Sequence, residues 1–228
     1  MLSVALGLLL TYGSRREHEI SERRSMSRRK RHVVTGVDLA GSPGRATGVC
    51  ILRGLTAQTY IVLTDEEIMD LIFQSRPDLV PIDAPLTLPA HRHTIHDRSG
   101  SHFRECDLAL RKRGIRFFPV TLGPMRMLTE RGMALKKIIE TGGFRVIECY
   151  PGAAQDVWGI PRQRRDRAGL AKGLRKLDIK GLQPGMTGDE LDAVTAALVG
   201  RWFLLGKGEM IGGAEGIVLP KLFQKKRQ

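Results

Sequence analysis

The stretch VVTGVDLAGSPGRATGVCILRGLTAQTYIVL, residues 33–63, decides the fold class of this chain. It contains three apolar, β-branched runs at residues 33–38, 46–52 and 56–63, which are separated by short connections that contain glycine. Runs of this composition, bounded by glycine and proline, are typical of strands. Because the connections are too short for a crossover, the three strands are predicted to form an antiparallel meander.

Beyond residue 63 the pattern alternates between helices and strands. Thr64 and Glu67 form a predicted capping box at the start of an amphipathic helix. The other predicted elements are strands at 78–83, 144–149 and 216–220, and helices at 104–113, 124–141, within 161–180 and from Asp189 to residues 203–205. Three antiparallel strands followed by helix-linked parallel strands predict an α/β fold, an RNase-H-like mixed sheet with helices on both faces and a helical insert.

The composition is that of a globular protein with an excess of positive charge. Of the 228 residues, 42% are hydrophobic and 27% are charged, which excludes a mostly disordered chain. Aromatic residues make up only 5%, which argues against an aromatic-rich stacking platform for single strands. The formal net charge of +13 makes polyanions such as nucleic acid or phosphorylated substrates the candidate partners, and we expect nucleic acid bound through its backbone.

Part of this charge lies at the two ends of the chain. We expect residues 1–31 to be a disordered basic extension, with Met26 as the true translation start, and residues 222–228 to be a basic tail. Residues 32–221 are then the RNase-H-like domain. The apolar run at residues 2–10 is too short to span a membrane, and three widely spaced cysteines suit reduced thiols, so the protein is predicted to be cytoplasmic without a membrane partner.

A second basic cluster lies inside the predicted domain. Two interpretations are open for it: a surface that binds the nucleic-acid backbone, or an ordinary solvated helix face. Nothing in the cluster is suited to reading bases. The residues predicted to bind nucleic acid are Arg162, Arg164, Arg165, Arg167, Lys172 and Arg175.

Five acidic residues stand at the ends of predicted strands or on the last predicted helix. They are Asp38, Asp83, Glu148, Asp189 and Asp192. Because neighbouring parallel strands end at one edge of a sheet, we expect these side chains to meet there. Buried carboxylates repel one another, and a hard divalent cation relieves the repulsion. We therefore predict a catalytic site built from all five, in which Asp38, Asp83 and Asp192 bind Mg²⁺ or Mn²⁺ as a two-ion site.

Each of these acids also has a simpler interpretation. Asp189 is a favoured residue for a helix N-cap, and Asp192 in the first turn would benefit from the helix dipole. Asp38 and Asp83 both precede turn-forming residues and could serve only as turn formers. Glu148 could pair with an arginine. The shared placement of the five, rather than any one of them, favours a common site.

Five short motifs resemble, in this order, the family called domain of unknown function 429. They are Gly36-Val37-Asp38, Ile82-Asp83-Ala84-Pro85, Arg104-Glu105-Cys106-Asp107, Glu148-Cys149-Tyr150-Pro151-Gly152 and Asp189-Glu190-Leu191-Asp192-Ala193. The family consists of predicted RNase-H-like nucleases that are distantly similar to RuvC-type junction resolvases. The resemblance covers residues 33–220 and implies an RNase-H-like fold with a metal-dependent nuclease activity.

The resemblance also implies roles for single residues. Asp38 matches the first-strand aspartate of RuvC-like enzymes, Asp83 matches their fourth-strand acid, and Asp189 with Asp192 matches the acidic pair on their last helix. One departure is that the resolvases carry glutamate where this chain has the shorter Asp83. The shorter side chain implies either that Asp83 reaches a metal through water or that the site is altered.

The residues and the resemblance together favour a divalent-metal-dependent nuclease or phosphodiesterase that acts on nucleic acid. One alternative is a non-catalytic nucleic-acid-binding module of RNase-H-like fold. The other is a relative of ATP-dependent phosphotransferases, because residues 38–42 loosely resemble their first phosphate loop. Such enzymes need a second, similar domain, for which this chain is too short.

Overall fold

The strands predicted at residues 33–63 form one side of a seven-stranded sheet in the computed structural model, which describes residues 32–221. The strands are β1 (Val33–Asp38), β2 (Thr47–Arg53), β3 (Thr56–Val62), β4 (Val80–Asp83), β5 (Val146–Cys149), β6 (Gly208–Ile211) and β7 (Ile217–Pro220). The helices are α1 (Asp65–Ser75), α2 (Glu105–Lys112), α3 (Gly123–Thr141), α4 (Pro151–Trp158), α5 (Arg167–Lys176) and α6 (Gly188–Leu204). The predicted N-terminal extension and C-terminal tail lie outside the described residues.

The order of the strands in the sheet is β3-β2-β1-β4-β5-β7-β6. Strands β1, β2 and β3 pair antiparallel, as the meander predicted. On the other side of β1, each of the strands β4, β5 and β7 pairs parallel with the strand before it in the sheet, and β6 closes the edge antiparallel to β7. An antiparallel meander extended by parallel strands confirms the predicted α/β class and the RNase-H-like mixed sheet.

Helices cover both faces of this sheet because successive side chains of a strand point to opposite sides. On one face, Val34 of β1 packs in a core with Leu174 of α5 and Leu198 of α6. On the other face, Val37 of the same strand packs with Ile72 of α1 and Leu135 of α3. The segment that contains α2 and α3 lies between β4 and β5 in the chain and corresponds to the predicted helical insert.

Two glycines allow α6 to lie directly against the sheet. A Cβ atom at Gly36 of β1 would collide with the backbone of Ala193 and Ala197, and one at Gly48 of β2 would collide with the backbone of Asp189. Without side chains at these two positions, the first turns of α6 approach the ends of the central strands. This close approach sets the position of the acids that α6 carries.

Three features differ from the sequence prediction. The helix α6 begins at Gly188 and is capped by Thr187 in a capping box with Glu190, so the prediction of Asp189 as its N-cap was wrong. The short helix α4 and the edge strand β6 were not predicted. In the part of the chain that is described, no helix has the length and apolar character needed to cross a membrane; the cytoplasmic location stays a prediction.

Candidate functional site

Four aspartates line one cleft at the carboxyl ends of the central strands. Asp38 ends β1 and Asp83 ends β4, and the two are direct partners in the parallel register. Asp189 and Asp192 come from the first turns of α6. The cleft has a volume of about 370 Å³, and we call it the carboxylate cleft. The structure thus brings together four of the five acids that the sequence singled out.

The pleat of the strands explains why these side chains meet. Asp38 lies two and four residues after Gly36 and Val34, so it points to the face that α6 covers. Asp83 is its register partner in a parallel pair and points to the same face. The carboxylates of the two strand ends therefore face the amino end of α6.

The carboxylates raise one another's affinity for protons. Burial, followed by the negative charges of Asp83, Asp192 and Asp189, raises the pKa of Asp38 well above its usual value. Burial, followed by Asp192 and Glu148, raises the pKa of Asp83 well above its usual value, and Arg162 opposes this shift. The pKa of Asp192 is raised by burial as well, against the effect of its hydrogen bonds. The ionised forms of these three carboxylates are therefore not fully compensated by protein groups.

Two glutamine side chains hold the carboxylate of Asp192. The Nε2 atom of Gln155 donates to Asp192 Oδ1 at 2.6 Å, and the Nε2 atom of Gln163 donates to Asp192 Oδ2 at 2.9 Å. Gln155 also donates to Thr195 Oγ1 at 3.1 Å, while its buried Oε1 has no hydrogen-bond partner within residues 32–221. Neither glutamine was predicted from the sequence, since neither belongs to a local pattern that would indicate contact with α6.

Two of the predicted nucleic-acid-binding residues line the carboxylate cleft. Arg162 and Arg164 belong to its wall. Arg162 forms an ion pair with Asp156, with 2.5 Å between Nη2 and Oδ2, and donates to the hydroxyl of Tyr150 at 3.0 Å. The remaining four residues of the predicted surface are exposed and do not line the cleft: Arg165, Arg167, Lys172 and Arg175.

Glu148 has a different position from the four aspartates. Its register partner in β4 is Ile82, not Asp83, so it points to the opposite face of the sheet. There it is 5% exposed and accepts two hydrogen bonds from the guanidinium of Arg104, at 2.7 and 2.9 Å, and one from the backbone N–H of Leu86 at 2.8 Å. Of the two interpretations from the sequence, the structure agrees with pairing to an arginine.

The donor chemistry of the carboxylate cleft fits a divalent cation. Carboxylate oxygens are the hard ligands that Mg²⁺ and Mn²⁺ prefer, and a cation would offset the repulsion that raises the pKa values of Asp38 and Asp83. Among the described residues, no three His, Cys, Asp or Glu side chains stand close enough together to hold one ion. The cleft therefore has the chemistry of a cation site without a closed set of ligands.

Known proteins similar to this chain include two solved structures. One is described as Thermus thermophilus RuvC in complex with Holliday junction substrate, with 12% identity, a TM-score of 0.44, and coverage of 77% of this chain and 96% of that chain. The other, described as the Thermus thermophilus RuvC structure, has 12% identity and a TM-score of 0.43, and covers 76% of this chain and 96% of that chain. No curated protein matches the chain.

One family model matches most of the domain. It is described as a protein of unknown function, DUF429, and it matches residues 36–215. The matched region contains all four aspartates of the carboxylate cleft and also Arg104 and Glu148. Because the match extends over far more than half of the chain, the protein belongs to the DUF429 family.

Proposed function

We propose that this protein is a divalent-metal-dependent phosphodiesterase that cleaves nucleic acid. The observation that carries the proposal is the convergence of Asp38, Asp83, Asp189 and Asp192 on one cleft that two arginines border. Buried carboxylates that repel one another are costly in a fold unless a cation or a proton compensates them. Such a cluster, next to cationic side chains, suits a site where a phosphate group and a divalent cation bind together.

The carboxylates would hold the cation. Asp38, Asp83 and Asp192 supply the oxygen ligands in this proposal, and Asp189 lines the same cleft from α6. A divalent cation bound there supplies charge for the phosphate oxygens and activates water for attack on phosphorus. Gln155 and Gln163 fix the orientation of the Asp192 carboxylate through their amide hydrogen bonds.

The arginines would hold the substrate. Arg162 is fixed by Asp156 and by the Tyr150 hydroxyl, so its guanidinium already has a defined position at the cleft. Arg164 is exposed on the same wall and is free to contact a phosphate of an incoming strand. Guanidinium groups suit this task because their planar set of donors matches phosphate oxygens.

One observation favours the alternative of a non-catalytic nucleic-acid-binding module. Both carboxylate oxygens of Asp192 already accept hydrogen bonds from glutamine amides, and such a carboxylate does not require a metal. The two functions differ in whether the cleft binds a divalent cation at all. Isothermal titration with Mn²⁺, on the wild-type protein and on Asp38→Asn, separates them before any substrate is known.

The experiment that tests the proposal is a cleavage assay. Labelled single-stranded, duplex and branched DNA and RNA are incubated with the full chain and Mg²⁺ or Mn²⁺. We expect cleavage of at least one of these substrates and a loss of roughly 100-fold or more in Asp38→Asn, because a lost metal ligand removes several kcal/mol of transition-state stabilisation. The matched control is Asp70→Asn, which changes an exposed aspartate of α1 that does not line the carboxylate cleft and should retain activity.

Two results would contradict the proposal. One is that no nucleic acid is cleaved and no divalent cation binds to the wild-type protein. The other is cleavage that Asp38→Asn retains at the wild-type rate, since the carboxylate cleft would then not be the site of the reaction.

A further inference from the structure

A second cavity opens next to the carboxylate cleft, with a volume of about 670 Å³. This is within the usual range for sites that bind small organic groups. Residues 114–119, in the connection between α2 and α3, form much of its wall. We call it the aromatic cavity because four rings line it: Phe103, Phe117, Phe118 and Tyr150.

The aromatic cavity and the carboxylate cleft share part of their walls. Phe118, Tyr150 and Arg162 line both of them. A ligand that occupies the aromatic cavity is therefore in contact with residues that also border the four aspartates. The two sites can bind adjacent parts of a single molecule.

Three of the rings are already engaged within the protein. Phe103 and Phe117 pack edge to face with their ring centres 6.0 Å apart, and the Arg111 guanidinium lies 5.2 Å from the ring centre of Phe103. The Arg162 guanidinium covers the ring of Tyr150 at 5.4 Å. Phe118, in contrast, is 65% exposed, the highest exposure among the large hydrophobic side chains described. Its ring is therefore available as a stacking surface.

The charged groups of the aromatic cavity are all cationic. Its lining contains Arg111, Arg116 and Arg162 and no acidic residue. Arg162 pairs with Asp156, whereas Arg111 and Arg116 form no ion pair within the described part of the chain. A free aromatic face beside unpaired guanidinium groups suits a ligand that is flat at one end and anionic at the other. A nucleotide has this character, since its base stacks and its phosphate binds arginine.

The wall that carries Phe118 is fixed to the rest of the site. The hydroxyl of Tyr150, next to the amino end of α4, donates to the carbonyl oxygen of Arg116 at 2.8 Å. The same hydroxyl accepts a hydrogen bond from Arg162. These hydrogen bonds fix the position of the aromatic cavity relative to the carboxylate cleft.

We propose that the aromatic cavity binds one unpaired nucleotide next to the scissile phosphate, with its base stacked on Phe118 and its phosphate held by Arg116. The inference rests on the proposed nuclease function and specifies its substrate class as nucleic acid with unpaired nucleotides beside the cleavage position. A base inside a continuous duplex is paired and stacked, so it must leave the helix before it can enter. The low aromatic content does not oppose this site, because four of the twelve aromatic residues line this one cavity.

The test compares binding to a fluorescein-labelled oligothymidine strand with binding to a blunt duplex of equal length, by fluorescence anisotropy in Mg²⁺. All proteins carry Asp38→Asn, so that cleavage does not interfere. We expect tighter binding of the strand than of the duplex. Phe118→Ala should weaken strand binding roughly tenfold, the usual effect of removing one stacking ring, and leave duplex binding unchanged. Phe118→Trp should restore strand binding.

The matched control is Phe73→Ala. Phe73 is a phenylalanine of α1 that is 50% exposed and lies outside the aromatic cavity, so its removal should change neither affinity. Equal strand affinity of Phe118→Ala and the parent protein would overturn the proposal, and so would an equal loss for strand and duplex. If the wild-type protein cleaves nothing but strand binding still depends on Phe118, the nuclease function is rejected and the base-binding cavity stands.

Discussion

Arg104 holds the buried side chain of Glu148 on the face of the sheet to which its register directs it. Its Nη1 and Nη2 atoms donate to Glu148, and its Nε and the same Nη2 donate to Asp107. All three side chains are nearly inaccessible to solvent. The cluster joins the amino end of α2 to β5. Arg104 and Glu148 are 44 residues apart in the chain, so no local sequence pattern could predict their contact. Although Arg104 opposes the effect, burial raises the pKa of Glu148. The charge balance of this cluster depends on the arginine.

This dependence predicts a large loss of stability in Arg104→Met. The substitution leaves the carboxylates of Glu148 and Asp107 buried without a cation, and breaking a buried pair in this way costs about 3–5 kcal/mol. The measurement is the free energy of unfolding from urea titration, monitored by circular dichroism. Arg113→Met is the matched control, because Arg113 and Glu209 form a partly exposed pair that contributes at most about 1 kcal/mol. Equal losses in the two variants would contradict the prediction.

The acids of the site could be predicted only in part, for a reason that acts at single residues. Asp38 and Asp83 are the last residues of apolar strands. This position is visible in the sequence, and it indicates that both lie at the carboxyl edge of the sheet. Glu148 is also near a strand end, but its register with Ile82 sends it to the other face. A shift of one residue reverses the face of a side chain, and the register between distant strands is not written in either strand's own sequence.

Among the elements, α6 has the largest effect on the site. It packs against β1 and β2 with backbone in contact at Gly36 and Gly48, and it carries Asp189 and Asp192 into the carboxylate cleft. Its core residues lie in the same cluster as those of α5. The distance between α6 and the sheet therefore sets the width of the cleft.

Gly36→Ala tests this close approach. The added methyl group would meet the backbone of Ala193 and Ala197, which cannot turn aside as a side chain can. We expect a loss of about 1–3 kcal/mol or more in the free energy of unfolding, measured in urea, because overpacking strains the surrounding structure. Gly123→Ala, at a glycine of α3 with open space around it, should leave stability within about 0.5 kcal/mol. Unchanged stability of Gly36→Ala would mean that α6 has room to move.

The elements that were predicted correctly carry a clear hydrophobic pattern in their own sequence, and the elements that were missed do not. The strands β1 to β5 have apolar runs between turn residues, and all were predicted. The helix α4 begins one residue after β5 with Pro151 and Gly152, a pair that is typical of turns. The strand β6 is four residues long, contains Glu209 and lies at the edge of the sheet, where it pairs with β7. The true cap of α6 did have a signal, because Thr187 and Glu190 have capping-box spacing.

The whole molecule combines a strongly basic chain with one acidic cleft. A formal net charge of +13 favours the approach of polyanions over long distances, whereas ionised carboxylates in the cleft would repel a phosphate that comes close. A divalent cation in the cleft would reverse this local repulsion. The same cation would also relieve the cost of holding Asp38, Asp83 and Asp192 together in the folded state. Substrate binding and stability would then both depend on the binding of this cation.

The last prediction concerns this link between the cleft and stability. Saturating Mg²⁺ or Mn²⁺ should raise the melting temperature above that in EDTA. At a cation concentration 100 times the Kd, binding adds about 2.7 kcal/mol to the free energy of unfolding. Asp83→Asn should abolish the shift and raise the melting temperature in EDTA at neutral pH. The sign follows because the raised pKa of Asp83 means that its ionisation destabilises the fold, and asparagine does not ionise. Asp70→Asn should respond as wild type; a shift that Asp83→Asn retains would place the cation elsewhere.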